Sequence, residues 1–180
     1  FFEPALTEAF LNLVKPGQAV VDIGMHLGYY TTLFALLVGE EGQVHAFEPT
    51  PSTREIAKKN TQRFPQIQVS PFAVWSSVRT LRFRDYGLQW MAFNSLGKSK
   101  LSSEPTVPKE IEVQTVTLDQ FRTSLDRAVS LVKIDAESAE REILAEFDRE
   151  HLRQVLWNLL RNAVRHARPG PGSVRVALGA

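Results

Sequence analysis

The chain has 180 residues, 43% of them hydrophobic and 23% charged, with a formal net charge of +1 and no cysteine. That balance describes one ordinary globular domain with a sizeable core. Near-neutral charge removes any global field for nucleic acid or an anionic membrane, and the missing cysteine removes disulfides, thiolate metal sites and cysteine nucleophiles together.

The longest purely apolar run, Leu33 to Val38, is far short of the roughly 20 residues that a membrane span needs. No basic segment followed by an apolar stretch opens the chain, so no signal peptide is expected. The start at Phe1 rather than Met points to a fragment. The missing thiols are compatible with a reducing compartment, and a cytoplasmic location is the expectation.

In chain order, a helix over Pro4 to Val14 stops at Pro16-Gly17, and Ala19 to Ile23 reads as a short buried strand. Leu33, Phe34, Leu36 and Leu37 give the next segment a helical apolar face, closed by Gly39. Gln43 to Phe47 is a second strand, Ser52 to Phe64 an amphipathic helix, and Gln66 to Val74 a third strand. This βαβαβ order predicts a parallel sheet with helices on both faces. Thr80 to Asp85 and Glu110 to Thr117 add two strand-like runs around an irregular stretch, a small antiparallel insertion. Leu131 to Ile134 is a further buried strand, followed by helices over Ser138 to Phe147 and His151 to Ala167 and a last strand, Val174 to Leu178.

Charge usage shifts late in the chain. All lysines lie at or before Lys133, Asp135 to Glu150 is acidic, and arginine dominates from Arg149 onward. The shift marks either a domain boundary near Phe147 or an acidic helix face followed by a basic one.

The stretch VVDIGMHLGYY at 20–30 carries the chemistry. An apolar strand running into a glycine turn builds a ligand site at the carboxyl end of an α/β sheet. The spacing is D-x-G-x-x-x-G rather than the G-x-G-x-x-G of dinucleotide sites. A pyrophosphate near Asp22 would meet repulsion of about 1 to 4 kcal/mol at 4 Å, depending on the dielectric. A cationic ligand would meet attraction, and S-adenosylmethionine has a sulfonium, an ammonium and two ribose hydroxyls. Glu48, closing the second strand, can accept from both hydroxyls, and helix-start amides after Gly24 suit the ligand's carboxylate. The alternative is a tight strand–helix turn in which Asp22 merely caps amides.

VVDIGMHLGYYTTLFALLVGEEGQVHAFEPTPSTREIAKKN resembles the opening of the FkbM-type S-adenosylmethionine-dependent methyltransferases. LVKIDAESAEREIL at 131–144 resembles that family's second signature, and VQTVTLDQF its strand ending in Thr-x-x-Leu-Asp. The resemblance implies a Rossmann-like class I methyltransferase sheet, mostly parallel with helices on both faces, over residues 1 to 147. It assigns Asp22, Gly24 and Gly28 to the methionine end of the cofactor, Glu48 to the ribose, and Ala73 with Val74 to the adenine edge. Asp135 and Glu137 would line the methyl-transfer cleft, and the acceptor would be a hydroxyl of a small molecule or glycan. His26 stands where the family more usually has asparagine, and Ser138 where it has glycine.

Methyl transfer needs positioning above all, and no metal is inherently required. A base taking the acceptor's proton adds about 10²–10⁴-fold. Asp135, Glu137 and His26 are the candidates by strand-end position, Asp135 first; the alternative is that both carboxylates hold structure or cofactor. Lys133, on a buried strand, is expected to pair with an acid, and His45 to pack in the core. Trp75, Trp90, Met91 and Phe93 offer either an acceptor-binding surface or loop packing.

The tail FDREHLRQVLWNLLRNAVRHARPGPGSVRVAL resembles the N-box helix and following strand of sensor histidine kinase ATPase domains, with Asn162 at the magnesium-binding asparagine. The later glycine-rich boxes are missing from it. Residues 148 to 180 are therefore expected to form a helix–strand tail without kinase activity. An ATP-binding kinase fragment and an inactive, truncated or chimeric methyltransferase fold are the rival readings.

Overall fold

The computed structural model describes residues 3–94, 107–136 and 139–144. Its centre is a four-stranded parallel sheet in the order β3-β2-β1-β7: β1 Ala19–Ile23, β2 Gln43–Phe47, β3 Ile67–Ser70 and β7 Val129–Ile134. All five residues of β1 are buried. That is the pattern of a central parallel strand, covered on both faces and therefore without polar alternation.

One face carries α1 (Pro4–Leu13) and α2 (Tyr29–Val38), whose Phe10, Tyr30, Phe34 and Val38 pack with Val20, Val44 and Leu131 of the sheet. Phe10 is fully buried and meets the Tyr30 and Phe34 rings edge-on at 5.2 and 4.8 Å. Each such ring contributes about 1.5–3 kcal/mol by leaving water. On this same face α3 (Pro51–Thr61) seats Ala57 against Met25 and Ala46. The opposite face holds Val21, Ile23, Phe47, Val132 and Ile134 against Leu118 of α4 (Leu118–Thr123) and Ile143 of α5 (Glu140–Leu144). Helices therefore cover both faces, as the βαβαβ order predicts.

The insertion is a second, three-stranded sheet, β4 (Ala73–Val74), β6 (Lys109–Val116) and β5 (Thr80–Asp85), with β5 antiparallel and β4 parallel to β6. The antiparallel element expected from sequence is present. The third strand, read as continuous over 66–74, is two: β3 stays in the main sheet, and the chain then leaves it so that β4 pairs with β6.

Helix α4 lies between two expected strands, in a stretch to which the sequence reading gave no element. Its signal was local: Thr117 accepts from the Gln120 N–H at 3.2 Å, the first half of a Thr-x-x-Gln capping box. The boundary near Phe147, the tail helix and the last strand lie outside the described residues. Among those described, no helix is long and apolar enough to cross a membrane.

Candidate functional site

In an open α/β sheet the ligand crevice lies at the carboxyl ends of strands where the winding direction reverses. Here that point is between β1 and β7, since β2 and β3 extend the sheet the other way. The loop leaving β1 is drawn tight under the neighbouring strand ends. The Gly24 and Met25 N–H groups both donate to the Phe47 carbonyl at 3.0 Å, Gly28 N–H donates back to Met25 O at 2.9 Å, and Asp135 N–H donates to Ile23 O at 2.9 Å.

Both glycines are dictated by this path. Gly24 has φ +76°, and a Cβ there would run into the Asp135 carbonyl. Gly28 has φ +88°, and its Cβ would stand 2.9 Å from the Thr61 methyl of α3. The side on which an L side chain would stand is thus filled by the protein. Between them His26 also adopts a left-handed conformation, φ +53°. Asparagine and histidine are among the few residues enriched there, so the two residue types share a backbone reason for occupying this position.

The two strand-end acids differ. Asp22 is fully buried; its Oδ1 accepts from Lys133 Nζ at 2.9 Å and its Oδ2 from the Thr31 hydroxyl at 2.7 Å. Lys133 is its register partner on β7, also donates to Gly24 O at 3.1 Å, and lies 5.6 Å from the Tyr30 ring centroid. The free negative charge expected from the sequence at Asp22 is therefore absent, because the same fold that buries it supplies its cation. The pairing expected of Lys133 is what the structure shows.

Glu48 is 7% exposed. Its Oε1 accepts from Thr50 N–H at 2.9 Å and its Oε2 from His26 N–H at 3.1 Å. Burial pushes its carboxyl above the usual range, opposed by the Thr50 and His26 hydrogen bonds and by nearby Arg54. Arg54 donates to the Glu48 and Pro49 carbonyls at 2.8 and 2.9 Å, not to the carboxylate. Glu48 is thus held by peptide dipoles, and each oxygen keeps acceptor capacity for a hydroxyl.

The His26 ring is exposed at the mouth of the turn. Partial burial and then the Lys133 ammonium hold its pKa below the ordinary value, with Asp135 partly opposing them, so all three groups share one electrostatic neighbourhood. Asp135 is half-buried directly after β7. Ala73 and Val74 are buried, Ala73 against Phe83 and Val113 and Val74 among the β1 and β7 side chains. Glu137 and Ser138 lie outside the described residues, as do the tail and its Asn162. His45 packs edge-on against Phe121 at 5.3 Å, as a core histidine. Among the described residues no group of three His, Cys, Asp or Glu side chains could hold a metal ion.

The model described as "Methyltransferase FkbM domain" matches residues 22–165. The chain belongs to the FkbM methyltransferase family. Among curated relatives, 31-O-demethyl-FK506 methyltransferase FkbM from Streptomyces tacrolimicus is 28% identical over 171 residues, covering 79% of this chain and 65% of its own length. Protein-L-isoaspartate O-methyltransferase 1 from Arabidopsis thaliana is 36% identical over 59 residues, covering 33% of this chain and 24% of its own length. The chain thus spans less than two thirds of each. Among solved structures, Aeropyrum pernix fibrillarin with natively bound S-adenosyl-L-methionine aligns at a TM-score of 0.45 and 12% identity, over 79% of this chain and 43% of that one. The putative rRNA-methylase from Clostridium thermocellum aligns at 0.38 and 23%, over 39% of each.

In this FkbM chain the described strand ends bring Gly24, His26, Gly28, Glu48 and Asp135 to one end of the sheet, whereas the Ala73 and Val74 side chains face the cores. Sequence reading missed Thr31, Thr50 and Arg54. Their signal was weak, since each is an unremarkable polar residue in a helix or just before one. The family match also continues past Phe147, through residue 165.

Proposed function

We propose that this chain is an S-adenosylmethionine-dependent O-methyltransferase acting on a hydroxyl of a small-molecule or glycan acceptor. The observation that carries the cofactor is Glu48, a buried carboxylate without a bonded cation among the described residues, at the end of the strand beside the glycine turn. A ribose diol is the partner such a group suits, because two hydroxyls meet its remaining lone pairs without bringing charge. The first amides of α2, opened by Gly28, suit the cofactor's carboxylate.

Asp22 takes an indirect place. Its charge is neutralised by Lys133, so it fixes the β1 turn rather than attracting the cation. Gly24 and Gly28 hold the same turn, His26 presents its N–H to Glu48, and Ala73 and Val74 offer only backbone to an adenine. Asp135 becomes the acid to which the cationic end and the acceptor's proton are assigned, with Glu137 beside it in sequence. The bound cofactor supplies an electrophilic methyl on its sulfonium. The chain's part is to hold the acceptor oxygen in line and to take its proton.

O-methylation fits the printed names of the Streptomyces and Arabidopsis relatives. The family match through residue 165 favours assigning the helix expected over His151–Ala167 to the methyltransferase domain rather than to a kinase fragment. A cytoplasmic location rests on the missing cysteines alone.

Calorimetric titration with S-adenosylhomocysteine tests the reading. The wild-type chain should bind, and Glu48→Ala should bind about tenfold to a hundredfold more weakly, the loss of one hydrogen-bonded charged acceptor. Magnesium-dependent ATP binding that disappears in Asn162→Ala would instead establish the kinase reading, and binding of neither ligand an inactive remnant.

A further inference from the structure

One hydrogen-bonded chain leads away from Glu48 to a segment that the cofactor reading does not use. Thr50 is fully buried, and its N–H donates to Glu48 Oε1 at 2.9 Å. Its hydroxyl oxygen accepts a hydrogen bond from a different segment. The donor is Asn94, whose Nδ2 stands 3.3 Å from Thr50 Oγ1. The Asn94 Oδ1 in turn accepts from Tyr86 N–H at 2.8 Å.

Asn94 therefore clasps both ends of the stretch between Tyr86 and itself. Inside the clasp, Gly87 N–H donates to Asp85 Oδ1 at 2.8 Å and Trp90 N–H to Gly87 O at 3.1 Å. The enclosed 3₁₀ turn, Leu88–Phe93, is kinked at Trp90 and rests against α3. It leaves Leu88 49% exposed and Trp90 36% exposed.

Resting on the reading of Glu48 as the ribose acid, we propose that Asn94 is a positioning residue that couples the 87–93 turn to cofactor occupancy through Thr50. A diol binding Glu48 competes for Oε1, which the Thr50 N–H also uses. Thr50 then shifts, and with it the Asn94 amide that closes the stretch carrying Trp90. The cofactor thereby places the apolar side chains of this turn, and an acceptor with an apolar flank next to its hydroxyl is the class they favour.

The test needs no acceptor. In the full chain with Trp75→Phe and Trp157→Phe, Trp90 is the remaining tryptophan, and its emission is followed while S-adenosylhomocysteine binding is measured in parallel by calorimetry. The expected result is an emission change that saturates with binding. Thr50→Val keeps the backbone bond to Glu48 but removes the bridge, and Asn94→Asp keeps the acceptor for Tyr86 but removes the donor. Both should still bind, with affinity down by about tenfold or less, the worth of one hydrogen bond, and both should lose the emission change. Thr50→Ser should retain it. Binding with no emission change in the reporter chain, or a change that survives in both uncoupled variants, overturns the coupling and leaves the cofactor reading intact. No binding in the reporter chain or in the unaltered chain overturns both.

Discussion

The ends of β1 and β2 both close on a buried carboxylate, but the surroundings differ. Asp22 has a full countercharge, Lys133, delivered in register from β7. Glu48 has only N–H dipoles on its oxygens, and burial pushes its pKa upward. A paired buried charge is finished and holds two strands together, whereas a charge held by dipoles alone retains capacity for a ligand. Two residues that look equivalent in sequence thus divide according to whether a cation is bonded to them: Asp22 ties strands together, and Glu48 is the one proposed to bind.

Breaking the pair at β1 should have the largest effect. Lys133→Met leaves Asp22 buried and unpaired, and unfolding in urea should show a loss of about 3–5 kcal/mol. Adding Asp22→Asn should restore much of that loss, because the uncompensated charge is then gone. Glu48→Ala sets the contrast, since it removes a desolvated charge and should weaken cofactor binding far more than stability. Equal stability losses at the two sites would erase the distinction.

The second largest effect should come from Gly24→Ala. The left-handed backbone and the collision with the Asp135 carbonyl should together cost about 2–4 kcal/mol, read from the same urea curves. Next comes His26→Val, where a β-branched residue at positive φ should cost about 1–3 kcal/mol. His26→Asn, compatible with that backbone, should stay within about 0.5 kcal/mol in thermal melts. A destabilisation by asparagine as large as that by valine would show that the ring, not the backbone, holds the turn.

The smallest signal is in pH. Burial holds the His45 pKa below its ordinary value, with Arg127 acting in the same direction and Asp126 and Gln68 opposing. The unfolded chain therefore binds this proton more readily, so the stability tied to neutral His45 is present above about pH 6.5 and falls as pH drops toward its lower native value. His45→Gln should flatten that part of the melting temperature's decline between pH 7 and 5.

Much of the sheet was legible because parallel strands buried on both faces are nearly pure apolar runs. Ala19–Ile23 and Gln43–Phe47 needed no knowledge of partners, and Thr80–Asp85, an antiparallel strand of the second sheet, was legible as a strand-like run without being apolar throughout. The break after Ser70 was not legible, since leaving one sheet for another depends on where β6 lies. At the candidate site, the spacing was enough to single out Asp22, Gly24, Gly28 and Glu48. What the spacing hid was direction: Lys133 reaches Asp22 from 111 residues away, and no local pattern shows that a carboxylate has been answered. His26 was visible as a departure, and its reason, a positive φ, was not.

The separation between Asp22 and Lys133 also governs the order in which the chain acquires its structure. A growing chain that has made only β1, β2 and β3 holds an acid in its most apolar strand with no cation to meet it, so that half should remain loosely collapsed. Docking of β7 ends this state, bringing the ammonium and the Gly24–Asp135 contact together. Contacts that distant are slow to form, so the carboxyl end of the sheet should assemble among the last events of folding, and the waiting half should be the one that chaperones meet.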